Sequence, residues 1–145
     1  MALPRFLFVT GTSKDGVATP AWPDRYTSAR GEVASDGSWV AWRLSGPNNR
    51  ELGRSALVFP DHAHCLDGVQ ALVVILKQLH PFITLNQLTG LWSWRLEFEG
   101  SGVAVSGRGH QRRRECEYNL ERFLSTAAVA VPATYRTVRK PRGAA

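Results

Sequence analysis

Four arginines, Arg108, Arg112, Arg113 and Arg114, fall within seven residues of one another. The apolar spacing downstream predicts a helix opening at about Gln111, which puts three guanidinium groups in or beside its first turn. Positive charge there opposes the helix dipole, which favours anions at an N-terminus. The helix predicted after Asp61 has the opposite arrangement, with a carboxylate at its N-cap. Free amides and arginine forks converging on a helix start make an anion site. Glu115, Glu117 and Glu121 stand at i+3 and i+4 spacings, so a solvated, self-compensated face is the alternative. Arg136, Arg139, Lys140 and Arg142 form a second basic run. Such a run either binds nucleic acid with counterion release or serves as a solubilising end. If the two runs share one side, they form a continuous phosphate-binding surface.

Other chemistries find less support. Asp61-His62-Ala63-His64-Cys65 has metal-ligand residue types. It lacks a second cluster at zinc spacing, and Cys65 belongs to an apolar helical stripe. His62 and His64, two apart on a helix, diverge, so neither a metal nor another cofactor is expected. Trp42, Trp92 and Trp94 lie on apolar strand faces and read as core, whereas Trp22 and Trp39 are freer to stack on bases. Gly-x-Ser-x-Gly and phosphate-loop spacings are absent. Gly11-Thr12-Ser13-Lys14-Asp15-Gly16 has the wrong Gly-to-Lys spacing and no following helix, and reads as a hairpin turn. A protein without catalytic activity is the expectation.

The charge distribution points the same way as the arginines. The chain has 145 residues and a formal charge of +6, with 43% hydrophobic and 21% charged residues. Residues 1–90 hold eight Lys or Arg against seven Asp or Glu, and residues 91–145 hold ten against five. An excess confined to one end favours an acidic partner such as nucleic acid or a nucleoprotein complex. Two cysteines make no disulfide framework and suit a reducing compartment. The apolar run in the first ten residues is too short for a signal sequence, and Ala71–Leu76 is too short to span a bilayer. The expectation is a cytoplasmic protein with no membrane contact.

The elements that must position these residues follow from a pattern present twice. Trp42-Arg43-Leu44, Ser55, Cys65, Val69 and Leu72 are matched by Trp94-Arg95-Leu96, Ser106, Cys116, Leu120 and Phe123. Serine and cysteine are ten residues apart in both copies. Val40, Trp42 and Leu44 alternate on one strand face, as do Trp92, Trp94, Leu96 and Phe98. Cys65, Val69, Leu72, Val73 and Leu76 form a helical stripe, ended by His80-Pro81. In the first copy the three strands are expected at 31–35, 38–45 and 51–59, with Asp36-Gly37 as a hairpin turn. In the second they are expected at 82–87, 91–98 and 103–106. A three-stranded sheet with one helix buries itself poorly, so two such units should share one core.

The order Trp-Arg-Leu, asparagine turn (Asn48-Asn49), Leu52-Gly53-Arg54-Ser55, then helix resembles the YegP-like proteins, small bacterial proteins built as tandem βββα repeats. The second copy keeps Trp94-Arg95-Leu96 and Ser106 but replaces the asparagines with Gly100-Ser101-Gly102. The resemblance covers roughly residues 30–127. It implies an α+β fold with two βββα units packed about a pseudo-twofold axis, and it implies no activity.

These readings combine into one domain. It comprises an N-terminal extension (1–29), in which the aromatic and β-branched content of Arg5–Thr10 predicts a strand, a first unit (30–81), a second unit (82–128) and a flexible basic tail (129–145). The expected function is nucleic-acid binding through phosphate contacts from the second unit and tail. The alternative is a protein–protein adaptor or homodimer that uses exposed sheet edges and the Trp22 arm. A metal-dependent enzyme using His62, His64 and His110 is a third, weaker class.

Overall fold

Period-two alternation in Ser38–Ser45 and Trp92–Phe98 makes these the two anchor strands of a single mixed sheet. The computed structural model describes residues 3–12 and 30–133. The expected arm around Trp22, most of the Gly11–Gly16 turn and residues 134–145 of the expected tail lie outside them, whereas Val131–Pro132, at the start of that tail, form a strand beside Arg5–Phe6 in the sheet. The strands are β1 (Arg5–Thr12), β2 (Arg30–Gly31), β3 (Ser38–Ser45), β4 (Glu51–Ser55), β5 (Leu57–Val58), β6 (His80–Leu85), β7 (Trp92–Phe98), β8 (Ser101–Val105) and β9 (Val131–Pro132). Helix α1 spans His62–Ile75 and α2 spans Arg113–Ala127.

Seven strands form one sheet in the order β6-β7-β8-β4-β3-β1-β9. Antiparallel pairing of β4 with β8, through Arg54↔Val105 and Ser55↔Ala104, joins two halves of like order, β1-β3-β4 and β6-β7-β8. Each middle strand slips register at the same place, after Leu44 and after Leu96. One core lies between the sheet and the helices. The sheet contributes Phe6, Phe8, Trp42, Leu44, Trp94 and Leu96. From α1 come Cys65, Val69 and Leu72, and from α2 come Cys116, Leu120 and Phe123. Both helices therefore cover the same face, which makes the fold α+β.

The first half begins earlier than the sequence pattern implies. Its outer strand is β1, paired with β3 from Arg5↔Ser45 to Thr12↔Ser38, and so lies inside the sheet rather than in an extension. Phe6 and Phe8 supply two fully buried rings two residues apart, whereas residues 31–35 offer only Val33 as a sizeable apolar side chain. Only Arg30–Gly31 pairs there, in parallel with β5 in a separate two-stranded ribbon. The expected strand 51–59 accordingly breaks at Ala56 into β4 and β5.

Two further boundaries shift. Helix α1 gives way to a 3-10 turn at Leu76–Gln78, and His80-Pro81 already belongs to β6. Proline is tolerated there because β6 is an edge strand. Trp39, expected to be free for stacking, is only 4% exposed and packs with Ala41 and Val58 on the sheet's other face. The β2–β5 ribbon covers it, an arrangement that period-two alternation alone cannot show.

Candidate functional site

The start of α2 lacks the usual anchor. Arg112 is its N-cap, in extended backbone (φ −126°, ψ 144°), and makes no side-chain cap. Asp61, by contrast, accepts the His64 amide at 2.8 Å and closes the first turn of α1. Not all the arginines at α2 are equivalent. Arg113 Nε donates to the Glu117 carboxylate at 3.0 Å, one turn on, and its guanidinium lies 5.6 Å from the centre of the Trp92 ring. It belongs to the fold's own packing. Arg108, Arg112 and Arg114 are exposed, and among the described residues none of them makes an ion pair.

A cleft of about 1120 Å³ opens beside α2. The Gly107–Gln111 loop forms one wall, the Asn48–Arg50 turn another, and the outward face of α2 the third. Arg114, Tyr118 and Arg122 come from consecutive turns of that face, at i, i+4 and i+8. The loop is pinned by paired backbone hydrogen bonds between His110 and Trp92, each 2.7 Å. Its approach to β4 is close, since a Cβ on Gly107 would stand 2.6 Å from Glu51 Oε2. The turn is held by the Arg50 amide donating to Asn48 Oδ1 at 3.1 Å. Four arginines line the cleft, namely Arg50, Arg108, Arg114 and Arg122, against Glu51 and Glu115. Glu51 is already engaged, accepting from Arg54 Nη2 at 2.7 Å with Arg43 at 3.7 Å.

Arg108 and Arg114 thus meet at one cleft, while Arg112 and Arg113 stand outside its lining. Arg136, Arg139, Lys140 and Arg142 lie outside the described residues. Sequence reasoning missed Arg50, Tyr118 and Arg122. The i, i+4, i+8 spacing on α2 was a usable signal for two of them. Arg50 arrives from the other half across the β4–β8 joint, and no local pattern announces it.

The Asp61–Cys65 segment is occupied by folding. Asp61 caps the helix and also bonds His64 Nδ1 at 2.7 Å. These bonds lower the Asp61 pKa and raise that of His64. His62 packs on Phe8 with ring centres 4.5 Å apart, and burial lowers its pKa. Burial pushes the Cys65 thiol up to about 12. Among the described residues no three His, Cys, Asp or Glu side chains are grouped to hold a metal ion, and no helix is long and apolar enough to cross a membrane.

No protein-family model matches the chain, and no curated protein matches it in sequence. One solved structure is similar, the solution NMR structure of UPF0339 protein SO3888 from Shewanella oneidensis. The match has a TM-score of 0.56 at 5% identity, and covers 93% of this chain and 98% of that one. The likeness is one of fold, a mixed α+β sheet with two helices.

Proposed function

We propose that this protein binds nucleic acid without catalysing a reaction on it, holding the phosphate backbone along the arginine-lined cleft beside α2. The observation that carries the reading is convergence: Arg50, Arg108, Arg114 and Arg122 come from a turn, a loop and a helix to one cleft. Scattered surface arginines would only solubilise the chain, whereas converging ones raise the local potential for a polyanion. The contacts fit phosphate, which positions a nucleic acid without reading its sequence. In this reading the basic run at Arg136, Arg139, Lys140 and Arg142 supplies further phosphate contacts.

The scaffold fits a duplicated βββα unit of the YegP-like kind, with the two halves about a pseudo-twofold axis through β4 and β8. The compartment that fits best is the cytoplasm, where Cys65 and Cys116 remain thiols. Fluorescence anisotropy of labelled RNA and DNA at rising salt tests the function. Four phosphate contacts give a slope of about −3 in log K against log salt for a single strand. Absence of binding at low salt, or a flat salt response, overturns the reading.

An adaptor or homodimer is favoured by a different feature. Among the described residues strand β6 is an open sheet edge, with Phe82 41% and Leu85 38% exposed. Light scattering across concentrations separates the two: a tight dimer that excludes nucleic acid supports this second reading.

A further inference from the structure

We infer that the cleft takes a single strand rather than a duplex, with an unpaired base stacked on Tyr118. The inference rests on the nucleic-acid reading and narrows it to one ligand class. Tyr118 is 62% exposed although it stands on an amphipathic helix whose buried stripe is Cys116, Leu120 and Phe123. Its ring therefore adds nothing to the core. It is instead a large aromatic surface held in water on the wall of a basic cleft. Arg114 and Arg122 flank it one helical turn away on either side, so a strand stacked on the ring would have a guanidinium group along the helix in each direction.

The chemistry selects the strand. A duplex hides its base faces, and it would meet the arginines as a line of phosphates without using the tyrosine. A single strand offers both, and the combination of a basic groove with an aromatic platform is how single strands are held without regard to sequence. Asn119, beside Tyr118, also lines the cleft, and its Oδ1 accepts from Trp94 Nε1.

The test compares three probes by anisotropy at low salt: a labelled oligothymidine, a duplex of equal length, and polyphosphate as an unlabelled competitor. Tyr118→Ala should weaken oligothymidine binding roughly tenfold, within the range expected for one lost base stack. It should leave competition by polyphosphate on the remaining complex unchanged, and Tyr118→Phe should retain the affinity. Far-UV circular dichroism confirms that both variants are folded. If Tyr118→Ala leaves oligothymidine binding intact, or weakens polyphosphate equally, the stacking inference fails. If the duplex binds in an Arg114-dependent way and oligothymidine does not, the inference fails while the nucleic-acid reading stands. If none of the probes binds, both fall.

Discussion

Trp42 and Trp94 occupy matching places in the two halves of the sheet and share a partner, Phe123. The amide of Trp42 donates to Ser55 Oγ and that of Trp94 to Ser106 Oγ, each at 3.3 Å. Their rings lie 6.2 and 4.9 Å from the Phe123 ring, centre to centre. A phenylalanine from α2 thus fastens both halves at the β4–β8 joint. Phe123→Ala should cost about 3–5 kcal/mol, because the cavity opens between two large rings that cannot both relax into it. Against a total stability of ~5–15 kcal/mol that is a large share. Urea unfolding monitored by tryptophan fluorescence should show a much lower midpoint, and a shift of less than ~1 kcal/mol would contradict the shared-anchor account.

Close packing at the same joint requires a glycine. A Cβ on Gly53 would stand 2.7 Å from the Phe123 ring and 2.8 Å from the Trp94 ring. Both rings are buried, so neither can swing away, and Gly53→Ala should destabilise by about 1–3 kcal/mol. Gly102, also in the central strands, provides the control. A Cβ there meets only Ala56, at 3.7 Å, an ordinary contact. Gly102→Ala should be neutral or stabilising by up to ~1 kcal/mol through the unfolded chain. Thermal melts of the two variants side by side would expose an error in either assignment.

These anchors show how far the sequence could be read. Serine and cysteine recur ten residues apart, with the tryptophan 13 residues before the serine in one half and 12 in the other, because each half uses the same ring, hydroxyl and small buried thiol. Local periodicity sufficed for β3, β7 and both helices. Composition also marks Arg5–Thr10 as a strand, and β1 is there; what it does not show is the pairing of β1 with β3, because residues 13–29 intervene in the chain and no local signal joins Phe6 and Phe8 to Trp42. Trp39 was misread for a related reason: its cover, Val58, arrives on a separate ribbon. At the candidate site, Arg108 and Arg114 were legible from charge density. Arg113 was legible only as charge, and its pairing with Glu117 and Trp92 takes it out of the cleft.

The two thiols offer a sensitive probe of the core. Burial pushes Cys65 up to about 12 and Cys116 up to about 11, so neither is a thiolate at neutral pH. Both should resist an exposed-thiol reagent in the folded protein and react at a rate set by opening of the structure. Denaturant should release two equivalents together if the halves unfold as one unit. Release of one equivalent well before the other would show that α1 and α2 leave the core independently.

Histidine titration should separate the two imidazoles at the head of α1. The Asp61 carboxylate, bonded to His64, raises the His64 pKa above its usual 6.5, whereas burial lowers that of His62. His64 therefore adds stability below pH ~6.5 that is lost as pH rises through its raised value. His62 acts in the opposite sense, and its contribution is lost as pH falls through its depressed value. Asp61, lowered chiefly by the His64 amide, supports the helix above pH ~4 and loses its effect as pH falls through its lowered value. Proton NMR should find one midpoint on each side of 6.5, and Asp61→Asn should return the higher one toward 6.5. Two coincident midpoints would contradict the arrangement.

The arginines at α2 should divide by role. Arg113 is engaged with Glu117 and Trp92, so Arg113→Ala removes an i, i+4 pair and a cation–π contact from the fold. It should lower stability by about 0.5–1 kcal/mol and leave polyanion affinity nearly unchanged. Arg114 and Arg108 have no ion-pair partner among the described residues and line the cleft. Their alanine variants should melt within ~0.5 kcal/mol of the parent chain, weaken binding evenly across sequences, and each reduce the salt slope by about one. Anisotropy titrations at several salt concentrations, paired with melts, give both quantities for each variant. Charge density alone treats the three residues alike, so equal losses of affinity at Arg113, Arg114 and Arg108 would mean that the cleft does not select among them. A loss at Arg114 and Arg108 with none at Arg113 follows from geometry and from nothing else in this stretch of sequence.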